Sequence, residues 1–159
     1  MATHAVMLRN ADARDIGVVD RLMADAFDPR YGEAWTRNQC LGVLAMPGVS
    51  LFVAEMDEEP AGFAMARRIA DEAELLLLAV APDFRRRGIG GALLRAVIAE
   101  ARGQGCVKLH LEVRAGNGAV RLYAEHGFAK VGERRSYYKG AAGDLHDAHS
   151  YSLLLDRSF

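Results

Sequence analysis

Apolar residues recur along this chain at two different periods. Ile16, Val19, Leu22, Met23 and Phe27 fall on one helical stripe, and either Asp12 or Asp15 can cap that helix. The segment 29–32 breaks it, and a second helix is predicted over about residues 33–46, ending at Pro47 and Gly48. Strands are predicted over residues 6–8, 49–55 and 62–68, with an acidic turn at Asp57, Glu58 and Glu59 between the last two. Residues 74–81 are almost uninterruptedly apolar, the pattern of a strand covered on both faces. Pro82 stops it, and a helix follows over residues 92–104, closed by Gly105. In the strand 107–113, alternation puts Leu109, Leu111 and Val113 on one face and Lys108, His110 and Glu112 on the other. A short helix ends at His126, and strands over 128–138 and 149–155 close the chain. The order β-α-α-β-β-β-α-β-α-β-β predicts an α+β domain built around a mixed sheet.

Composition narrows the function classes. The chain has 159 residues, 51% of them hydrophobic, with a net charge of −1, so it carries no global basic field for nucleic acid. No repeat or linker divides it, and a single domain over residues 1–159 is expected. Cys40 and Cys106 form no CxxC pair and read as reduced thiols in a cytoplasmic protein. Residues 1–9 do not read as a signal peptide, and no apolar stretch approaches the ~20 residues that span a bilayer. His146 and His149 would point to opposite faces of a strand, so no metal site is expected. The expected state is a monomer or weak homodimer with neither nucleic acid nor membrane as partner.

One segment changes this picture. After the apolar strand come Arg85, Arg86, Arg87, Gly88, Ile89, Gly90 and Gly91, at the head of a helix. Helix N-termini present unpaired N–H groups and partial positive charge, and glycines let a phosphate approach them closely. A Walker loop fits poorly because Gly90 is followed by Gly91 and Ala92 instead of Lys and Ser or Thr. The dinucleotide fingerprint is excluded because Leu93 stands where its third glycine belongs.

The pattern Arg/Gln-x-x-Gly-x-Gly/Ala after a strand ending Val80-Ala81-Pro82 closely resembles the acetyl-CoA signature of the GNAT superfamily of N-acetyltransferases. The resemblance implies a mostly antiparallel sheet of about seven strands flanked by about four helices, with a splayed strand pair at the coenzyme. It implies that Leu78, Ala79 and Val80 meet the pantetheine arm. Arg86, Arg87, Gly88, Ile89, Gly90 and Gly91 would then meet the phosphates.

A second segment is as specific. Glu112 to Arg114, then Asn117, Leu122-Tyr123, Gly127-Phe128, Arg134-Arg135, Tyr137-Tyr138 and Asp147-Ala148 resemble the bacterial ribosomal-protein-alanine N-acetyltransferases. That family implies Glu112 as general base, Tyr123 as general acid and Asn117 as a coenzyme contact. It usually has one more residue between the asparagine and the tyrosine, so Asn117 either meets the coenzyme or only caps its helix. Tyr137 and Tyr138 either line the substrate mouth or form an aromatic pair on the strand. Trp35 either walls the acceptor groove or anchors the second helix. His110 either joins a proton relay or simply packs. The implied partner is the N-terminal segment of a ribosomal protein. A small-molecule amine as acceptor, or a non-catalytic acyl-CoA-binding module, are the alternatives.

Overall fold

The computed structural model describes residues 5–155. Residues 1–4 and 156–159, and with them part of the N-terminal stretch read above for a signal peptide, lie outside the described range. In chain order the elements are β1 (Val6–Ala11), α1 (Ile16–Ala26), α2 (Arg37–Leu44), β2 (Val49–Met56), β3 (Glu59–Ile69) and β4 (Glu72–Val80). They continue with α3 (Ile89–Gly103), β5 (Lys108–Arg114), α4 (Ala119–Glu125), β6 (Ala129–Lys139) and β7 (Leu145–Leu154). Three-residue 3₁₀ turns precede α1, α2 and α3. The strands form one seven-stranded sheet in the order β1-β2-β3-β4-β5-β7-β6. Every neighbouring pair is antiparallel except β4 and β5, which run parallel. This is the α+β, mostly antiparallel architecture expected from the sequence.

The helices cover both faces of the sheet. Val19, Leu22 and Met23 of α1 and Cys40 of α2 pack with Leu51, Val53, Phe63 and Met65. On the opposite face Leu93, Leu94 and Val97 of α3 and Tyr123 of α4 pack with Ala64, Leu109, Leu111 and Val113. Each large apolar side chain removed from water in these two layers contributes roughly 1.5–3 kcal/mol.

Some boundaries differ from the periodic pattern. Helix α2 starts at Arg37, because Thr36 and Gln39 form a reciprocal capping box there and leave residues 33–35 as loop. Helix α3 starts at Ile89, ahead of the predicted Ala92, because the left-handed Gly88 turns the chain into the helix and Ile89 is buried in the core at once. Strand β7 starts at Leu145, ahead of the predicted His149. Its first residues are not apolar in alternation, yet they pair with β6 as Tyr138↔His146 and Lys139↔Leu145.

The feature that positions the site is a bulge in β4. Its register with β3 skips Leu76, pairing Met65 with Leu77 and Ala66 with Leu75. One extra residue exchanges the faces of a strand and bends it. Before the bulge Leu75 packs on the α3 side; after it Leu77 and Ala79 pack on the α1 side, and Leu78 and Val80 turn toward α3.

Candidate active site

The parallel pairing of β4 with β5 runs only from Glu72↔Lys108 to Leu75↔Leu111. Beyond it, residues 76–80 stay with β3, and residues 112–114 stay with β7. The sheet therefore opens into a wedge, and a cleft of about 680 Å³ runs through it. That volume suits a ligand of coenzyme size.

At one end of the cleft lies the head of α3. Gly88 adopts a left-handed conformation (φ 79°) as its N-cap, and no side chain caps the helix. The amides of Ile89, Gly90 and Gly91 are thus first-turn donors with no partner inside the helix. A Cβ at Gly90 would stand 3.2 Å from Leu122 Cδ2, a tight contact that the leucine side chain would have to relieve by a small shift. Arg86, also left-handed (φ 64°), lines the cleft beside these glycines. Arg85 staples the loop in place, donating to Val80 O at 3.3 Å and to Ala26 O at 3.0 Å. Arg87 is not among the lining residues. Its guanidinium turns away, 3.7 Å from Met56 Sδ and 5.7 Å from the Phe84 ring centroid. Leu78, Ala79 and Val80 line the adjoining wall along the edge of β4 that has parted from β5. An uncapped glycine-rich helix start beside a free strand edge fits a diphosphate carried on an amide-bearing arm.

Glu112 and Tyr123 both line the cleft, reached from opposite sides. Glu112 alternates with Leu111 and Val113, which pack on the α3 side, so it faces the α1 side. Tyr123 comes from α4 on the α3 side and is 5% exposed. A group lying in the wedge can therefore be approached by both. One oxygen of Glu112, Oε1, stands 3.2 Å from Arg134 Nη2. The other, Oε2, is buried and has no hydrogen-bond partner among the described residues. Burial first, and then the carboxylate of Glu33, pushes the Tyr123 phenol well above its ordinary value. It therefore stays protonated throughout the neutral range.

The rest of this end comes from distant segments. Glu33, Trp35 and Tyr31 of the α1–α2 loop and Tyr138 of β6 line it. Trp35 also packs on the α1 core. The Tyr138 phenol is pushed up to about 12, by burial first and then by Glu33 and Glu112. Tyr137 is not among the lining residues; it stands 51% exposed, its ring edge-on to Tyr138 at 5.0 Å. His110 is likewise absent from the lining. Asn117 lines the cleft, but its side chain is engaged within the protein. Oδ1 accepts from Ala119 N at 2.8 Å and Nδ2 donates to Glu33 Oε2 at 2.6 Å. That geometry matches the capping role. Among the described residues no group of three or more His, Cys, Asp or Glu could hold a metal ion.

Sequence reasoning missed Glu33, Arg114, Tyr31 and Arg134 as members of the site. Arg114 and Arg134 both lay inside quoted motifs. Glu33 sits in a loop with no periodic signal and finds its partners more than 80 positions later.

The sequence model of the acetyltransferase (GNAT) family matches residues 17–128. The chain is 47% identical over 88 residues to a ribosomal protein bS18-alanine N-acetyltransferase of Salmonella typhimurium, a match covering 55% of this chain and 60% of that protein, less than two thirds of its length. To the protein of the same name in Haemophilus ducreyi it is 34% identical over 122 residues, 76% of this chain and 83% of that one. The crystal structure of the ribosomal-protein-S18-alanine N-acetyltransferase from Escherichia coli superposes with a TM-score of 0.85 at 28% identity, covering 98% of this chain and 97% of that one. With the wedge in its sheet and the helix start beside it, this chain belongs to the acetyltransferase (GNAT) family.

Proposed function

We propose that the chain is an acetyl-CoA-dependent N-acetyltransferase whose acceptor is a protein N-terminus, the N-terminal alanine of a ribosomal protein. The observation that carries this reading is the buried, unpartnered Oε2 of Glu112 in the opened wedge. A buried acceptor without a protein partner is costly unless a water or a ligand donates to it, and in the cleft an incoming amine can do so. The relatives named for alanine acetylation of ribosomal protein bS18 support the acceptor. We read the chain as one cytoplasmic domain, a monomer or weak homodimer.

Bound in the cleft, acetyl-CoA supplies an activated acetyl thioester. The amides of Ile89, Gly90 and Gly91 hold its diphosphate with Arg86 beside them. The free edge at Leu78, Ala79 and Val80 takes the amide-bearing arm, and a backbone N–H near Val80 polarises the acyl carbonyl. Glu112 Oε2 accepts the proton of the incoming amine, while Arg134 fixes the other oxygen. Tyr123 donates a hydrogen bond to the departing sulfur. Its phenolate would be more basic than a thiolate, so the hydrogen bond itself, more than full loss of the proton, stabilises the leaving group. Trp35 and Tyr138 wall the acceptor end.

An α-amine suits a carboxylate base. With a pKa of about 7.7–8.0, roughly a tenth of it is neutral at pH 7, against fewer than about one lysine amine in a thousand. The test is release of CoA from acetyl-CoA with Ala-initiated peptides, internal-lysine peptides and small amines. Turnover centred on the Ala-initiated peptides is expected. Preference for a small amine would overturn the acceptor assignment, and binding of acetyl-CoA without release to any amine would make the chain a binding module.

A further inference from the structure

We infer that Glu33 is a positioning residue for acetyl transfer: its carboxylate ties the acceptor-side loop at once to the strand that carries Glu112 and to the helix that carries Tyr123. The inference rests on the transfer chemistry proposed above.

Glu33 lies in the loop between α1 and α2. Its Oε1 accepts from Arg114 Nε at 3.0 Å, and its Oε2 accepts from Asn117 Nδ2 at 2.6 Å. The side chains of Glu33 and Arg114 are only 9% and 12% exposed. Arg114 is held further by a bond from Nη1 to Ala115 O at 3.0 Å and lies 3.6 Å over the Tyr31 ring centroid. A buried ion pair is weak evidence for stability, because desolvation cancels much of the attraction, and fixing register is its best-attested use. Each oxygen of Glu33 already has a donor, so the group acts through what it holds.

What it holds is the catalytic pair. Arg114 is two residues beyond Glu112 on β5. Asn117 caps α4 through the Ala119 amide. That helix has seven residues and no side-chain cap from its own N-cap residue, Gly118. So short a helix is marginal alone and takes its placement from neighbours. Tyr123 rides on it. Trp35, two residues after Glu33, walls the acceptor end. One carboxylate thus sets the distance between acceptor wall, base and acid. Its negative charge also adds to the upward push on the Tyr123 phenol.

The experiment compares wild type, Glu33→Gln, Asn117→Ala and the double variant. Glutamine keeps the shape but turns an N–H₂ toward one of two donors. Each single variant is expected to lose about 10–100-fold in kcat at saturating substrates, the scale of a misplaced catalytic group. The Kd for acetyl-CoA, read by calorimetry, stays within about threefold, and the double variant loses less than the product of the two singles, because they share the Glu33–Asn117 bond. Amide exchange at residues 29–36 and 118–125 accelerates together in Glu33→Gln, while β1 to β3 keep their protection. If kcat in both singles stays within twofold of wild type, or their losses multiply in the double, the inference is overturned. If Glu33→Gln does not fold, Asn117→Ala tests the same tie from its other end. A wild-type chain that turns over no amine sinks the transfer chemistry instead. The tie is then judged by exchange alone, and unchanged exchange at 118–125 in either single variant refutes it.

Discussion

Glu112 has its two oxygens in different circumstances, one beside a guanidinium and the other buried with no partner among the described residues. The asymmetry orients the carboxylate, since Arg134 occupies the oxygen that would otherwise compete for the acceptor amine. Glu112→Gln removes the proposed proton acceptor and keeps the volume. A loss of about 10²–10⁴-fold in kcat is expected, with an unchanged unfolding temperature. Tyr123→Phe removes the proposed donor to the leaving group and is expected to cost about 10²–10³-fold, with acetyl-CoA affinity retained. Steady-state CoA release with an Ala-initiated peptide measures both, and full activity in either variant refutes that residue's role. Alternation placed Glu112 as one carboxylate among leucines on a strand, and the family resemblance, more than the alternation, singled it out. Asn117 was only half legible: its spacing pointed to a helix start, but nothing local announced Glu33 as the partner of its amide nitrogen. Juxtapositions made by tertiary packing leave no trace in a window of ten residues.

At the scale of elements, the bulge at Leu76 does what the apolar run of β4 could only suggest. The run was read as covered on both faces, and the bulge shows how, by exchanging the faces halfway along the strand. Beyond it β3 alone supports the parted edge, and the two backbones meet closely at Gly62. A Cβ at Gly62 would lie 2.6 Å from Ala79 O, a backbone atom that cannot swing aside. Gly62→Ala should therefore destabilise the chain by about 1–3 kcal/mol. Gly42, inside α2, has nothing within 4 Å of an added Cβ. Gly42→Ala should instead stabilise by about 0.5–1 kcal/mol. Thermal or urea unfolding of the two variants reads the opposite signs; equal shifts would contradict the close approach. Helix starts were less legible than strands, because the capping box at Thr36 and the left-handed Gly88 outweigh any hydrophobic stripe.

For the whole molecule, the order of elements and their short connections made the fold class readable, together with the resemblance carried by the two motif segments. What no motif revealed is how the first third of the chain closes on the last. Gly32 in the α1–α2 loop and Gly140 at the tip of the β6–β7 hairpin press against each other's segments. Added Cβ atoms would run into the backbone oxygens of Lys139 and Arg30 respectively, and Ala141 N donates to Pro29 O at 3.1 Å. Gly140→Ala must push the loop from the hairpin. The expected result is a rise of about tenfold or more in KM for an acceptor peptide with the acetyl-CoA Kd unchanged, because the coenzyme end lies elsewhere. An unaltered peptide KM would show that this contact does not shape the acceptor end.

Backbone pressed to backbone closes the seam between loop and hairpin. If the acceptor enters beside them, it comes in end-first, like thread through an eyelet, and each residue inserted needs about 3.3–3.6 Å of extended chain. A polypeptide whose beginning is already tucked into its own fold, or docked in a larger assembly, has no slack to offer. Modification would then belong to a window early in the acceptor's life, between emergence of its first residues and their burial.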